Sequence, residues 1–173
     1  MEVLRTVAML KLKDWAIGAG FVRNLVWDNL HEYTEATPKT DIDVIYFDPD
    51  NLSEETETAY QQRLAQLMSG EEWSVTNQAR MGRLNNQNRD YVSTEDGLAH
   101  WTETATAIAV RLTEDEKLEL MAPHGLDDLL SLTVRMTPEF GDGPDTYIER
   151  IAKKQWATKW PRLKVILATK DLS

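Results

Sequence analysis

Residues 17–24 read Ile17-Gly18-Ala19-Gly20-Phe21-Val22-Arg23-Asn24, and residues 41–47 read Asp41-Ile42-Asp43-Val44-Ile45-Tyr46-Phe47. The first stretch is a glycine turn leading from a short apolar strand into an apolar helix. The second alternates carboxylates with β-branched residues. Residues two apart on a strand share a face, so Asp41 and Asp43 project together while Ile42 and Val44 face the other side. Two converging carboxylates can share hard divalent cations. The glycine turn lets backbone approach phosphate, whose charge is favoured by the N–H groups at the start of the Phe21 helix. Together the two stretches suit a nucleoside triphosphate and its Mg²⁺.

The dinucleotide-binding fingerprint is the main rival, because Gly18-x-Gly20 follows a strand and an acidic residue lies about twenty positions on. Position 23 argues against it. That fingerprint calls for Gly or Ala there, where helix and strand pack closely, and Arg23 would obstruct the contact. Paired aspartates are also one more carboxylate than ribose recognition requires.

The turn and the acidic strand resemble the catalytic head of the DNA polymerase beta superfamily of nucleotidyltransferases, whose signature is a Gly-Gly or Gly-Ser turn with an Asp-x-Asp strand. The likeness is closer to tRNA CCA-adding enzymes and bacterial poly(A) polymerases, where the turn reads Gly-Gly-x-Val-Arg-Asp and the strand Asp-Ile-Asp-Ile. Asn24 stands where those enzymes have Asp. Val75-Thr76-Asn77-Gln78-Ala79-Arg80 is similar to their Phe-Thr-Ile-Asn-Ala-Leu segment. Through Ile17 to Asn24, Asp41 to Asp48, Asn77 to Met81, Glu103 to Leu112 and Ala122 to Leu130, the chain looks like a bacterial nucleotidyltransferase-like family.

The resemblance implies an α/β (α+β) polymerase-beta-like nucleotidyltransferase fold. It implies transfer of a nucleoside monophosphate from an NTP to an unidentified hydroxyl acceptor, small molecule, RNA or protein, with release of pyrophosphate. A non-catalytic nucleotide-binding or regulatory module on the same fold is the alternative. Asp41 and Asp43 would bind two Mg²⁺ ions, and Gly18, Ala19, Gly20, Arg23, Asn24, Asn77 and Arg80 would contact nucleotide. Arg23 would donate to phosphate or brace the aspartates, or else form a structural ion pair with one of them. Superfamily members often add a third carboxylate from a neighbouring strand. The spacing offers Glu103 as that catalytic group, ahead of Asp127 or Asp128, although Glu103 can also pair with Arg111 or Arg80. The 173 residues are not expected to hold the long helical RNA-binding extension of CCA-adding enzymes, so tRNA tail synthesis is not carried over.

At 173 residues the chain fits one domain, 1–173, with a sizeable core. Its 42% hydrophobic and 28% charged residues are ordinary for a globular protein. No apolar run approaches a membrane span and no signal-peptide pattern opens the chain, so a cytoplasmic location is expected. With 0 Cys, disulfides, thiolate metal sites and cysteine nucleophiles are excluded. A net charge of -10 argues against general binding of duplex nucleic acid. The charge is uneven: Arg150 to Lys170 holds seven Lys or Arg and no Asp or Glu, interleaved with Trp156 and Trp160. That segment reads either as a solvated basic face with core tryptophans or as a phosphate-facing patch.

Hydrophobic spacing predicts helices over 2–13 and 21–30, and a helix capped by Ser53 that ends at Gly70. It predicts strands over 15–20, 41–47 and 73–80, then a polar loop over 84–94. A hairpin pairs 106–112 with 118–122. A short helix over 125–131, a possible edge strand over 132–136, a turn at 141–144 and a last helix over 147–156 follow. The sum is a mixed sheet with helices packed mainly on one face. Asp48 and Asp50 read as turn residues, and Asn77 and Gln78 either read a base edge or ribose or satisfy backbone. His31, His100 and His124 show no metal-ligand spacing, and Trp73 and Trp101 read as core ahead of base-stacking platforms.

Overall fold

The computed structural model describes residues 1–38, 41–84 and 89–167. A five-stranded sheet has the order β3-β2-β1-β4-β5, built from β1 (Ala16–Gly18), β2 (Ile42–Tyr46), β3 (Trp73–Asn77), β4 (Ala109–Leu112) and β5 (Leu118–Met121). Within this sheet β2 and β3 run parallel and the other pairs are antiparallel. The sheet is therefore mixed, as the sequence predicts.

Side-chain alternation divides the sheet into two unlike faces. Ile17, Ile42, Val44, Tyr46, Trp73 and Val75 point into a core closed by α1 (Glu2–Ala8) and α3 (Glu54–Leu67). The other face carries small residues over β1 and β4, with Ala16, Ala107 and Ala109 packed beside Ile45 and Met121. Asp43 lies on this second face, in register with Ser74 of β3. Helix α3 starts where expected, because Ser53 Oγ accepts from the Thr56 N–H at 3.4 Å.

A second core sits beside the sheet. Trp27 of α2 (Gly20–Leu30) is fully buried and packs edge-on against Trp156 at 5.7 Å and Trp160 at 5.1 Å between ring centres. Leu129 of α6 (Asp127–Leu130) and Val134 of β6 (Thr133–Val134) complete it. This core holds α7 (Gly143–Lys154) and α8 (Trp156–Lys159) against the body. Tyr147 of α7 is fully buried and its hydroxyl donates to the carbonyls of Val134 and Ile166, at 3.2 and 2.8 Å.

Several expectations are corrected. The opening helix stops at Ala8, and the chain reverses through Lys11 at φ 51°. Strand β3 ends at Asn77, and α4 (Gln78–Leu84) begins where a strand was expected. Asn77 forces the change: its Oδ1 accepts from the Ala79 N–H at 3.1 Å, as a helix cap does. Residues 85–88 of the expected polar loop lie outside the described residues. At its end, α5 (Thr94–Ala99) is capped by Ser93, whose Oγ accepts from the Asp96 N–H at 3.0 Å. The segment 132–136 does not join the main sheet; β6 pairs in parallel with β7 (Lys164–Val165). Helix α7 begins at Gly143, with Pro144 in its first turn, and breaks at Gln155 in the left-handed region at φ 48°.

Asp28 ties the second core to the approach to Asp41. Its carboxylate accepts from the Thr37 N–H at 2.8 Å, the Thr37 hydroxyl at 2.6 Å and Trp160 Nε1 at 2.7 Å. Burial opposes its ionisation, but these bonds outweigh it and hold the carboxyl below its usual range. The depressed value contributes stability that is present above about pH 4 and lost as pH falls through the folded-state value. Asp28→Ala is expected to cost about 2–3 kcal/mol, since it orphans a buried indole N–H. It should also shift the acid limb of the unfolding profile, read by urea titration from pH 7 down to about pH 2.

Candidate active site

The turn between β1 and α2 places Ala19, rather than either glycine, in the strained conformation, with φ 47° and ψ -119°. This region is natural for glycine and costly for a residue with a Cβ. Gly18 and Gly20 have no positive φ; the glycines that do are Gly70, Gly125 and Gly143. Gly18 is needed for another reason: a Cβ there would lie 2.6 Å from the Trp101 ring, which covers the β1 backbone. Gly20 has ordinary space around it, with Arg23 Nη2 at 3.5 Å from a built Cβ. The Ala19 N–H donates to the Ile108 carbonyl at 3.1 Å, and the Ala19 carbonyl accepts from the Arg23 N–H at 3.0 Å, which starts α2.

Arg23 projects from the first turn of α2 into a slot between tryptophans. Its guanidinium carbon lies 4.6 Å from the Trp156 ring centre and 5.2 Å from that of Trp27. Asn24 Oδ1 accepts from its Nε at 3.2 Å and its Nη2 at 2.9 Å. Burial pushes the Arg23 guanidinium down to about 10, Arg150 pushes the same way, and Glu103, Asp43 and Asp41 hold it up. It remains a cation at neutral pH. Asn24 thus retains a hydrogen-bonding role where related turns have Asp.

Asp41 is exposed and Asp43 half-buried. Burial, followed by repulsion from Asp41, raises the Asp43 carboxyl above its usual range, against the pull of Arg23 and Lys154 and a hydrogen bond from Ser74. The pair fits Mg²⁺, which takes one or two carboxylates and completes its shell with water and phosphate. A dication would relieve the repulsion that raises Asp43. Among the described residues, no group of three or more His, Asp or Glu is arranged to hold a metal.

Asp43 and Ala19 line a pocket of about 830 Å³ together with Arg150, Lys153 and Lys154 of α7 and Lys159 of α8. The basic segment therefore shares the pocket with Asp43. Lys154 feels burial first and then the charges of Arg150 and Arg23, which lower its proton affinity. Lys170 lies outside the described residues.

Glu103 is fully buried and is paired with Arg150 Nε at 2.6 Å, so neither Arg111 nor Arg80 is its partner. The Thr106 hydroxyl donates to its other oxygen at 2.8 Å. Arg111 binds Asp14 and Glu119, and Arg80 binds Glu57 and Glu54. Asn77 is also engaged in scaffolding: its amide donates to the carbonyls of Asp48 and Asn51 and accepts from the N–H groups of Asp48 and Ala79. Asp128 pairs with Arg135 at 2.8 Å and Asp48 with Lys13 at 2.9 Å. His31 wedges between the Trp27 carbonyl and the Arg162 N–H. The sequence reading missed Ser74, the β3 residue level with Asp43. The parallel register that identifies it has no local sequence signal.

The match to a family model described as nucleotidyltransferase runs over residues 5–165. The chain belongs to this nucleotidyltransferase family. A solved NMR structure described as revealing a CCA-adding enzyme head domain is 34% identical, with a TM-score of 0.85 over 97% of this chain and 89% of that one. A tRNA-processing enzyme solved with CTP is 18% identical, with a TM-score of 0.56 over 95% of this chain and 43% of its own. A tRNA nucleotidyltransferase in complex with a primer tRNA and an ATP analogue is 17% identical, with a TM-score of 0.57 over 95% and 46%. The chain thus spans less than half of these last two, which share its fold. A comparison with curated proteins found no match. No helix among the described residues is long and apolar enough to cross a membrane.

Two variants separate strain from chemistry in this nucleotidyltransferase-family protein. Ala19→Gly should stabilise the protein by about 1 kcal/mol, or about 2–4 °C in Tm, by relieving the turn. Asp43→Asn should melt no lower than wild type at pH 7. The raised value means that ionised Asp43 opposes folding: its contribution is fully present below about pH 4 and is lost as pH rises through the folded-state value. Thermal melts at pH 4 and pH 7 check both variants.

Proposed function

We propose that the protein transfers a nucleoside monophosphate from an NTP to a hydroxyl acceptor and releases pyrophosphate. The observation that carries this reading is the one pocket that Asp43 and Ala19 of the α2 turn line together with Arg150, Lys153 and Lys154. Asp41 and Asp43 would hold the Mg²⁺ ions, two sharing the pair. When bound, Mg²⁺ neutralises phosphate charge and lowers the pKa of an acceptor hydroxyl.

The chain's own residues have separable roles. The start of α2, with Gly18, Ala19 and Gly20 leading into it, presents backbone N–H groups to the phosphates. Lys153, Lys154 and Arg150 supply countercharge, and Glu103 fixes Arg150 in place as a positioning residue. Arg23 and Asn24 brace the aspartates electrostatically from behind the turn. The acceptor oxygen bonds to the α-phosphorus as the bond to the departing pyrophosphate breaks, and the acceptor proton passes to water in the pocket. Asn77 and Arg80 serve this site by fixing the end of β3, since their polar groups are engaged elsewhere.

A nucleotide-binding module without turnover is favoured by one observation: Ser74, not a carboxylate, is level with Asp43 on the parallel neighbouring strand. Incubation with α-labelled NTPs and Mg²⁺ decides between the readings. Transfer of label with matching pyrophosphate release, lost at least about a hundredfold in Asp43→Asn, is the expected result. Binding without turnover across small-molecule, RNA and protein acceptors supports the module.

Neutralising two cations tests the wall. Lys153→Gln with Lys154→Gln should raise KM for the NTP roughly fivefold, about 1 kcal/mol for two exposed charges, and flatten its salt dependence. An unchanged KM at every ionic strength would return the segment to a solvated face.

A further inference from the structure

The phosphate-facing wall occupies one part of the pocket, and Trp101 lines another. This residue belongs to the turn after α5 and is held at both backbone ends: its N–H donates to the Leu98 carbonyl at 3.1 Å, and its carbonyl accepts from the Thr137 hydroxyl at 2.6 Å. Its ring lies against β1 so closely that Gly18 has no room for a side chain. Ala16, Ala107 and Ala109 are the small residues of the apolar cluster against which it packs. Yet Trp101 is only partly buried, unlike Trp27 and Trp160, which are core. Phe140 lines the same pocket.

We infer that Trp101 is a stacking platform for the nucleobase of the incoming nucleotide, an inference that rests on the NTP reading above. The position is appropriate. Trp101 covers Gly18, directly before the Ala19 turn, so a base on the ring and phosphates at the α2 start belong to one ligand. The construction is appropriate too. An indole backed by main chain and fixed at both ends loses little freedom when a base stacks on it, and every base offers a π-face. Such a platform binds by stacking area more than by the pattern of base-edge donors and acceptors. The glycine of the turn then has a function distinct from phosphate contact: Gly18 is the seat of the ring.

The test compares ATP with inorganic tripolyphosphate, which carries the phosphates and no base, both with Mg²⁺. In wild type, ATP should quench part of the tryptophan fluorescence and tripolyphosphate should not. Trp101→Leu should weaken ATP binding about tenfold, within the range measured for base stacking, and leave tripolyphosphate affinity unchanged. Trp101→Phe, which preserves a ring on the Gly18 seat, should lose the quench while retaining most of the affinity. Unchanged ATP affinity in Trp101→Leu, or an ATP quench that persists in Trp101→Phe, overturns the platform. If wild type binds tripolyphosphate but shows no added affinity for ATP, the platform falls and the phosphate site stands. Binding of neither ligand overturns the nucleotide reading and the platform with it.

Discussion

Burial of the Arg23 cation is the constraint on which the rest of the site depends. A guanidinium removed from water needs compensation on every side. Here the rings of Trp27 and Trp156, the Asn24 carbonyl and the fields of Glu103, Asp43 and Asp41 provide it. These groups come from α2, the segment after α5, the acidic strand and α8. Satisfying one charge therefore fixes the glycine turn, the aspartates and the C-terminal helices relative to one another. The aromatic core around Trp27 secures that arrangement, and the Glu103–Arg150 pair extends it to the cation-bearing wall.

The charges in the pocket are arranged at a cost to the empty protein. Two carboxylates repel each other on one strand face, and Lys154 and Arg150 crowd on the other side. Burial and these repulsions raise the Asp43 carboxyl and lower the Lys154 amine, the directions that a bound dication and a polyphosphate would reverse. Ala19 adds backbone strain at the turn between them. Such costs concentrate where a ligand offsets them, whereas the surrounding sheet and the second core follow ordinary packing rules.

Local chemistry made much of this legible. The alternation in Asp41 to Val44 gives β2 its two faces, and the Ser53 cap fixes the start of α3. The 113–117 turn marks the hairpin of β4 and β5. The Ser93 to Asp96 capping pattern is also local, although it lies within a polar stretch that otherwise reads as loop. Other features depend on partners distant in sequence. Nothing near Glu103 indicates that Arg150 is its counterion, nothing near Gly18 indicates the Trp101 ring, and the pairing of β6 with β7 joins segments separated by α7 and α8. The glycine turn was read correctly as a turn, but its strained position could not be assigned from composition, because alanine occupies it.

The central claim is that one ligand spans the α2 turn, the aspartates and the α7 wall. Backbone amide NMR of the protein titrated with Mg²⁺ and a non-hydrolysable ATP analogue measures this directly. The account predicts coupled shifts with one dissociation constant at Ala19 to Asn24, at Asp41 and Asp43, and at Arg150 to Lys154. Shifts confined to another surface, such as the groove lined by Met9, Leu12 and Trp15, with the aspartate amides unmoved, would contradict it.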